Sequence, residues 1–501
     1  MPTIERLSRN LQFSFYLKAA STLSHLFLLP FILHRVDASL YGVNALLISI
    51  VSYFYYLDFG FNTGLSRYTA KFSGENKEED LVNLFNLGIR IFFVIAIVAI
   101  VSLIGIAPFF PHIFDIHGDL AQDSRRLIYV YAASSFFLLL GVVFKCVLNG
   151  IQREDVIHKI DLVLVLVNIP LAIFILTRFR SYLIYITVFQ GFTILASGAA
   201  IYTVFRILPF LKIHFRSIPK AFYRDIMSFS GYYFLAGICG LIIFQIDNFV
   251  IGAFLSVSTI TAYSIAFVIH QQIRSLNGML ANPIYYILTS RFATHSKEDV
   301  DGIIMDTARM HIGILIPILV IVFVNTDMFI IAWVGEAFTH AITPARILIS
   351  YFFVNIVTAV LTEAVVGGQG KVKEILRING FVAFCNLVLS LALVKPMGLN
   401  GVALGTAAPW IVAGVFYLKL FCNHLAIPLA EFYKKAIRPN LPHIGVSVAL
   451  AIVIRGIMNA PGLFEVLGCM GLAYMLTMGF AFILLEADKK SLVLEIIRIR
   501  L

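Results

Sequence analysis

The stretch 150–168 reads GIQREDVIHKIDLVLVLVN, and the stretch 368–386 reads GQGKVKEILRINGFVAFCN. Gly150 matches Gly368, Arg153 matches Lys371, Lys159-Ile160 matches Arg377-Ile378, and Asn168 matches Asn386, at one offset (368 − 150 = 218; 386 − 168 = 218). The same offset lines up Leu17 with Leu235, Leu23 with Leu241 and Phe31 with Phe249. A four-residue insertion then brings Tyr41 opposite Tyr263. Apolar matches carry little weight in a chain full of Leu and Ile. The series Gly, base, base, Asn carries the reading that the chain holds two copies of one unit.

The 501 residues are 60% hydrophobic and 13% charged, with mean hydropathy +0.91. A soluble domain carries about 25% charged residues, so the solvent for this surface is lipid. A net charge of +10 in a soluble chain would point to nucleic acid. Membrane proteins collect Lys and Arg on their cytoplasmic side instead, and no nucleic-acid partner is expected. Cys146, Cys239, Cys385, Cys422 and Cys469 lie in or beside apolar segments without a CxxC pair, so neither disulfide nor zinc is suggested. Arg6 and Arg9 precede an apolar run, as in a secretory leader. That run, 11–33, is too long, contains Lys18 and lacks a clear cleavage site, so it reads as a retained first helix.

A helix crosses the bilayer with about 20 apolar residues. Fourteen such spans are predicted: 11–33, 40–62, 82–106, 127–148, 158–177, 182–206, 226–251, 257–279, 308–334, 341–366, 376–394, 399–422, 440–458 and 464–486. Backbone polar groups in lipid bond internally, which makes these helices, and the alternating short segments of a membrane barrel are missing. One set of loops, with both termini, holds about 25 Lys and Arg, from Arg6 and Arg9 through Arg67, Arg153, Lys159, Lys371, Lys373 and Arg377 to Arg500. The other holds about 8: Arg35, Arg125, Arg126, Arg178, Arg180, Arg346, Lys395 and Arg455. The first set is therefore cytoplasmic.

The predicted fold class is an all-α polytopic membrane protein with about 14 transmembrane helices, in two parallel-repeat six-helix lobes plus two extra C-terminal helices. The domains are an N-terminal lobe, 1–206; a cytoplasmic amphipathic linker, 207–225; a C-terminal lobe, 226–425; and helices 13 and 14 with a cytoplasmic tail, 426–501. The linker interleaves Phe210, Ile213, Phe215 and Phe222 with Lys212, Arg216, Lys220 and Arg224, which suits a segment on the headgroups, as does Leu492–Leu501.

Two motifs are accidents. Asp58-Phe59-Gly60 spells a kinase magnesium motif inside an apolar span, without its companions. Gly367-Gly-Gln-Gly-Lys371 hints at a phosphate loop but lacks the following Ser or Thr. No catalytic or metal-binding cluster is visible, so no cofactor and no enzyme are expected.

The basic residues inside spans are Lys18, Arg90, Lys145, Arg274 and Lys419. At mid-membrane each costs roughly 2.5–3.5 kcal/mol, less where the side chain snorkels to the interface. Lys419 lies one turn from the cytoplasm, and Lys145 and Arg274 are near that end. Lys18 and Arg90 lie deeper, where a water-filled cavity is the better account. The acids are Asp58, Asp161, Asp247 and Glu363, of which Asp161 is expected to be solvated. Lys145 and Glu363 are repeat equivalents (363 − 145 = 218), and an ion pair between them is one expectation. Polar cavity candidates are His25, Gln245, His270, Gln271 and Asn355.

Three runs carry a family resemblance. Tyr41-Gly42 through Leu57-Asp58-Phe59-Gly60-Phe61, then Arg67, resembles the second helix of bacterial polysaccharide transporters. These are the O-antigen-type flippases of the multidrug/oligosaccharidyl-lipid/polysaccharide exporter superfamily. Gln245-Ile-Asp247-Asn248 with Ile251-Gly252 resembles the start of their second lobe. Gly370-Lys371, Asn386 and Gly398-Leu-Asn-Gly401-Val-Ala-Leu-Gly405-Thr406 resemble their tenth-to-twelfth-helix signature, so the likeness covers about residues 8–425.

The resemblance implies two lobes around a cavity. It also implies movement of lipid-linked oligosaccharide, typically on undecaprenyl pyrophosphate, from the inner to the outer leaflet of the bacterial inner membrane for lipopolysaccharide or other surface polysaccharide. An anionic headgroup then meets the cations Lys18, Arg90, Lys145, Arg274 and Arg67. Asp58, Asp247 and Glu363 are coupling or ion-pair candidates, with a proton, sodium or the membrane potential as the driving force. Expected partners are membrane lipids and the polysaccharide polymerase machinery, with the chain a monomer. The rivals are a cation-coupled multidrug exporter of the same superfamily, disfavoured by a span 1 with Lys18 and His25 but no acid, and a polytopic sugar polymerase or ligase, disfavoured by short external loops.

Overall fold

The computed structural model describes residues 2–58, 60–214, 220–458 and 461–484, and all regular structure in them is helical. In chain order the helices are α1 (Pro2–Leu33), α2 (Ala38–Tyr56), α3 (Phe61–Gly74), α4 (Glu78–Ile106), α5 (Phe110–Ile113), α6 (Gly118–Gly150), α7 (Glu154–Arg178), α8 (Tyr182–Ile207), α9 (Lys220–Phe254), α10 (Val257–Thr294), α11 (Lys297–Val324), α12 (Thr326–Val334), α13 (Ile342–Ser350), α14 (Phe352–Glu363), α15 (Val372–Leu425), α16 (Leu429–Phe432), α17 (Leu441–Ile457) and α18 (Leu463–Ile483). A wide π-type turn, Ala364–Gly368, follows α14.

Among the described residues twelve helical stretches are long and apolar enough to cross a membrane. One of them, Lys373–Leu425, is 53 residues long and is broken at Gly398, whose φ of 57° and ψ of −137° no helix tolerates. It therefore makes two spans. The 38-residue α10 supplies a further one by length, in keeping with fourteen. The outer face of α4 shows why lipid is the solvent: Phe93, Val94, Ile97, Val98, Val101 and Ile104 are exposed at helical spacing, while Phe92, Ile95, Ala96 and Ala99 are buried behind them. A helix apolar all round is a membrane helix.

Two predicted boundaries are corrected. Span 2 ends at Tyr56, not at 62. The chain reverses through Gly60 in the left-handed region at φ 74°, and α3 begins at Phe61. Span 9 is interrupted at Asn325, where the side-chain amide donates to the Ile321 carbonyl at 3.0 Å and competes with the helix ladder.

The repeat is written in the backbone. Gln152 (φ 60°) and Gly370 (φ 66°) are left-handed, and so are Arg180 (φ 52°) and Gly398 (φ 57°). Each pair is separated by the sequence offset (370 − 152 = 218; 398 − 180 = 218). Left-handed non-glycine residues are uncommon, so two coincidences at one offset mark equivalent turns.

The chain forms two compact units: residues 1–264 with 379–402, and residues 265–378 with 403–501. This cut differs from the lobe division read from the repeat. In the first unit α3, α4, α6, α7 and α8 share a core around Phe85, whose ring meets Phe144 edge-on at 5.3 Å and Phe205 at 6.1 Å. The start of the linker joins this core. Leu211 is buried, the Asn86 amide donates to the Lys212 carbonyl at 2.8 Å, and the His214 N–H donates to Asn86 Oδ1 at 2.7 Å. Phe210 packs there too, while Ile213 is exposed. Phe215 and Arg216, the side chains of Lys220, Phe222 and Arg224, and Leu492–Leu501 lie outside the described residues.

In the second unit α17 and α18, outside the repeat, pack on α11 through Ile321, Ala451, Ile454, Val466, Met470 and Ala473. An ionic clasp closes the same contact. The Asp327 carboxylate accepts from Arg346 at 3.0 Å and from both terminal nitrogens of Arg455, at 2.6 and 3.2 Å. Both guanidinia also donate to the Val324 carbonyl at the end of α11, at 3.4 and 3.0 Å.

Candidate functional site

The cations predicted for a cavity separate into two groups. Lys145 on α6 donates to Asp161 on α7 at 2.9 Å, with both side chains about a third exposed (35% and 32%). Lys145 thus has an ion pair inside its own unit, and Asp161 is paired rather than merely solvated. Arg90 on α4 donates to the His214 carbonyl at 3.3 Å, beside the Asn86 contacts, and so helps to pin the linker. Lys18 is half-buried on α1, Arg67 is exposed on α3, and Arg274 is exposed on α10, where it donates to Gln271 Oε1 at 3.4 Å. Lys419 is exposed near the end of α15, as snorkelling requires.

The acids have local duties. Asp58 is buried, and its two carboxylate oxygens accept the Gly60 N–H at 3.1 Å and the Asn62 N–H at 2.8 Å. It caps the first turn of α3, satisfying N–H groups that a helix start leaves open. Asp247, buried on α9, accepts a short hydrogen bond from the Tyr263 hydroxyl on α10. One residue on, Asn248 donates to Ser49 Oγ on α2 at 2.9 Å. Nearby, Thr261 Oγ1 donates to the Ala38 carbonyl, and a Cβ on Gly42 would run into the Val257 carbonyl. The Tyr-Gly and Gln-Ile-Asp-Asn motifs therefore lie where α2 meets α9 and the start of α10. Gln245 is half-buried on α9, and His25 is exposed on α1, its Nδ1 donating to the Ser21 carbonyl at 2.7 Å.

In the second unit His270 and Asn355 belong to a polar ladder. His270, fully buried, lies with Nε2 2.9 Å from the Tyr351 hydroxyl, between the rings of Phe267 and Phe352. Two turns on, Asn277 donates to Asn355 Oδ1 at 2.8 Å and accepts from His311 Nε2 on α11 at 2.8 Å. Residues seven apart on α10 and four apart at the start of α14 share one helix face, so the rungs align. Glu363, half-buried, ends α14 about 12 Å further along the helix.

Sequence reasoning missed Asn277 and Tyr351, whose signal was their helical spacing from His270 and Asn355, and it missed His311, which faces them from α11 and carried no such signal. It also missed a tyrosine cluster in the first unit. There Tyr131 donates to Asn44 and Tyr185 to Asn168, each at 2.8 Å, and the Tyr182 ring lies 6.4 Å from Tyr41 and 5.8 Å from Tyr185. Among the described residues no three His, Cys, Asp or Glu side chains gather as metal ligands would.

The MatE family model matches residues 19–174. No curated protein matches the chain in sequence. An inward-facing multidrug resistance MATE family transporter of the MOP superfamily superposes with a TM-score of 0.67 at 14% identity, over 85% of this chain and 99% of that one. An outward-facing multidrug resistance MATE family transporter gives 0.58 at 14% identity, over 85% and 96%. A MOP superfamily transporter from Pyrococcus furiosus, described as having a binding pocket of reverse polarity that suggests a different function, gives 0.59 at 15% identity, over 84% and 95%. The chain thus has the fold of the MATE-type membrane transporters of the MOP superfamily, a fold solved in both inward-facing and outward-facing conformations.

Proposed function

We propose that this protein carries a lipid-linked oligosaccharide with an anionic pyrophosphate headgroup across the bacterial inner membrane by alternating access, serving surface polysaccharide synthesis. The observation that carries the reading is the division among the ions. Asp58 caps a helix, Asp161 holds Lys145 and Asp247 takes a tyrosine hydroxyl, while among the predicted cavity cations Lys18 is half-buried and Arg67 and Arg274 are exposed. Lys18 shares the apolar stretch Gln12–Leu33 with His25 and no acid. Such a set suits phosphate oxygens and repels a cationic drug. The MOP relative with reversed pocket polarity is a precedent for such a departure within the fold. The lobes 1–206 and 226–425 would be the halves that alternate, with the termini in the cytoplasm and Glu363 the acid left for a coupling ion.

The test is translocation of a labelled undecaprenyl-pyrophosphate oligosaccharide in proteoliposomes. Replacing Lys18 and Arg67 together by Gln removes two charge-assisted contacts and should slow translocation more than about tenfold, with the protein still folded. Wild-type rates in that variant, or drug efflux by the unaltered protein without lipid translocation, would overturn the proposal.

A further inference from the structure

We infer that the groove between α7 and α8 in the first unit binds an anionic phospholipid, with one acyl chain in the groove and the headgroup phosphate on Lys159. The groove encloses about 350 Å³. Lys159, Val163 and Val167 line it from α7, and Phe192, Ala196 and Ala199 from α8. These positions recur at intervals of three or four residues, so each helix gives the groove one face. Among the described residues that line it, Lys159 alone is charged.

The room comes from short side chains. Ala196 and Ala199 are one turn apart on α8, opposite the valines of α7. The repeat offset supplies the contrast. Val163 corresponds to Phe381 and Ala199 to Tyr417 (381 − 163 = 218; 417 − 199 = 218). The second copy carries rings at both positions, and the first keeps them small. Val163 is 59% exposed, as the lipid-facing residues of α4 are, so the groove opens outward.

Length and charge select the occupant. Between Lys159 and Val167, eight residues, α7 rises about 12 Å. Half of the hydrocarbon core is about 15 Å thick, so a chain from one leaflet fills the groove without crossing the midplane. Lys159 stands at the polar end of that path. Its Nζ donates to Asp155 Oδ2 at 3.2 Å and lies 4.4 Å from the centre of the Phe13 ring on α1. Asp155 is 4% exposed and also accepts from Arg153 Nε at 2.9 Å. Two bases thus share one buried carboxylate, and the trio keeps a charge of +1. Glu154, five residues before Lys159, is about 140° round the helix and off this face. Asp155 and Phe13 hold the ammonium at the mouth of the groove, where the Lys159 side chain is still 44% exposed. An ammonium has three donors, and a phosphodiester at the interface meets the surplus charge with charge-assisted hydrogen bonds. Lys159 belongs to the strongly basic set of loops, and such loops face the leaflet that carries anionic lipid. The inference does not depend on the transported substrate.

The test uses the full chain released from nanodiscs of phosphatidylcholine doped with phosphatidylglycerol, with retained lipid read by native mass spectrometry. The wild type should hold phosphatidylglycerol in preference to phosphatidylcholine. Lys159→Gln should lower that retention at least about threefold, and Lys159→Arg, which keeps the charge, should preserve most of it. Ala199→Leu, at an exposed position, narrows the room for the chain and should also lower retention. It tests the groove without touching the ion pair at Asp155. Lys419→Gln removes an exposed lysine outside the groove and should change nothing. Equal retention by the wild type, Lys159→Gln and Ala199→Leu overturns the inference. So does an equal loss from Lys419→Gln, which would mark a general attraction of charge. Retention of undecaprenyl phosphate in preference to phosphatidylglycerol, from nanodiscs holding both, overturns the assignment to a phospholipid.

Discussion

The clasp at Asp327 decides whether α17 is fastened to the end of α11 by charge as well as by packing. Asp327→Ala removes three charge-assisted hydrogen bonds, at 3.0, 2.6 and 3.2 Å, and leaves two guanidinia facing one another over the Val324 carbonyl. Buried bonds of this kind contribute about 1.5–3 kcal/mol each. The side chains here are 21% (Asp327), 33% (Arg346) and 49% (Arg455) exposed, so solvent screens much of that sum. The expected loss is about 2–3 kcal/mol, a melting-temperature drop of roughly 4–10 °C. The chain has two tryptophans, and Trp333 lies on α12 stacked against Phe329 at 5.2 Å. In a Trp410→Phe background its emission reports on the clasp itself. A double-mutant cycle of Asp327→Ala with Arg455→Ala should give a coupling of about 1–2 kcal/mol. Additive effects, or a melting temperature within about 1 °C of the parent, would refute the argument.

Two further outcomes are expected. Lys145→Asp sets two carboxylates against each other across α6 and α7 and should lower the melting temperature, and adding Asp161→Lys should restore most of the loss; no recovery in the swapped pair would remove the ion pair at 2.9 Å from the account. Gly42→Val drives a side chain into the Val257 carbonyl and should part α2 from the start of α10. A thiol crosslinker joining Ala38→Cys to Thr261→Cys should then give several-fold less product, and an undiminished yield would show that α2 tolerates the bulk.

Hydropathy and the charge of the loops were enough to place most of the spans because lipid imposes a one-dimensional rule on each helix. The repeat was legible for a similar reason: Gly150, Arg153, Lys159 and Asn168 fall at fixed distances from a turn, and turns keep their spacing. Partners were not legible. Lys145 stands at the repeat position of Glu363, yet its carboxylate is sixteen residues on, at Asp161, across a turn whose geometry spacing alone does not describe. Asp58 looked like an intramembrane charge because the helix was drawn through it; once the chain stops at Tyr56 the same carboxylate is a cap. Arg90 looked like a deep cavity cation because the linker that receives it is 124 residues away in sequence. The His270, Asn277 and His311 cluster needed the facing helix before its members could be told from isolated polar residues.

The left-handed turns at Gln152 and Arg180 are 28 residues apart, and so are those at Gly370 and Gly398 (180 − 152 = 28; 398 − 370 = 28). The helix between the first two, Glu154–Arg178, has 25 residues and rises about 37 Å, close to the hydrocarbon core with its interfaces. The bilayer thereby acts as a ruler on this part of the gene. Almost every side chain along that length has been exchanged between the copies, but the number of residues has not. An insertion of even one residue there would carry a reversal out of the interface and turn the following face by about 100°. The four-residue difference between the copies lies instead before Tyr41 and Tyr263, outside the measured length. Length, more than identity, is what this pair of helices must transmit.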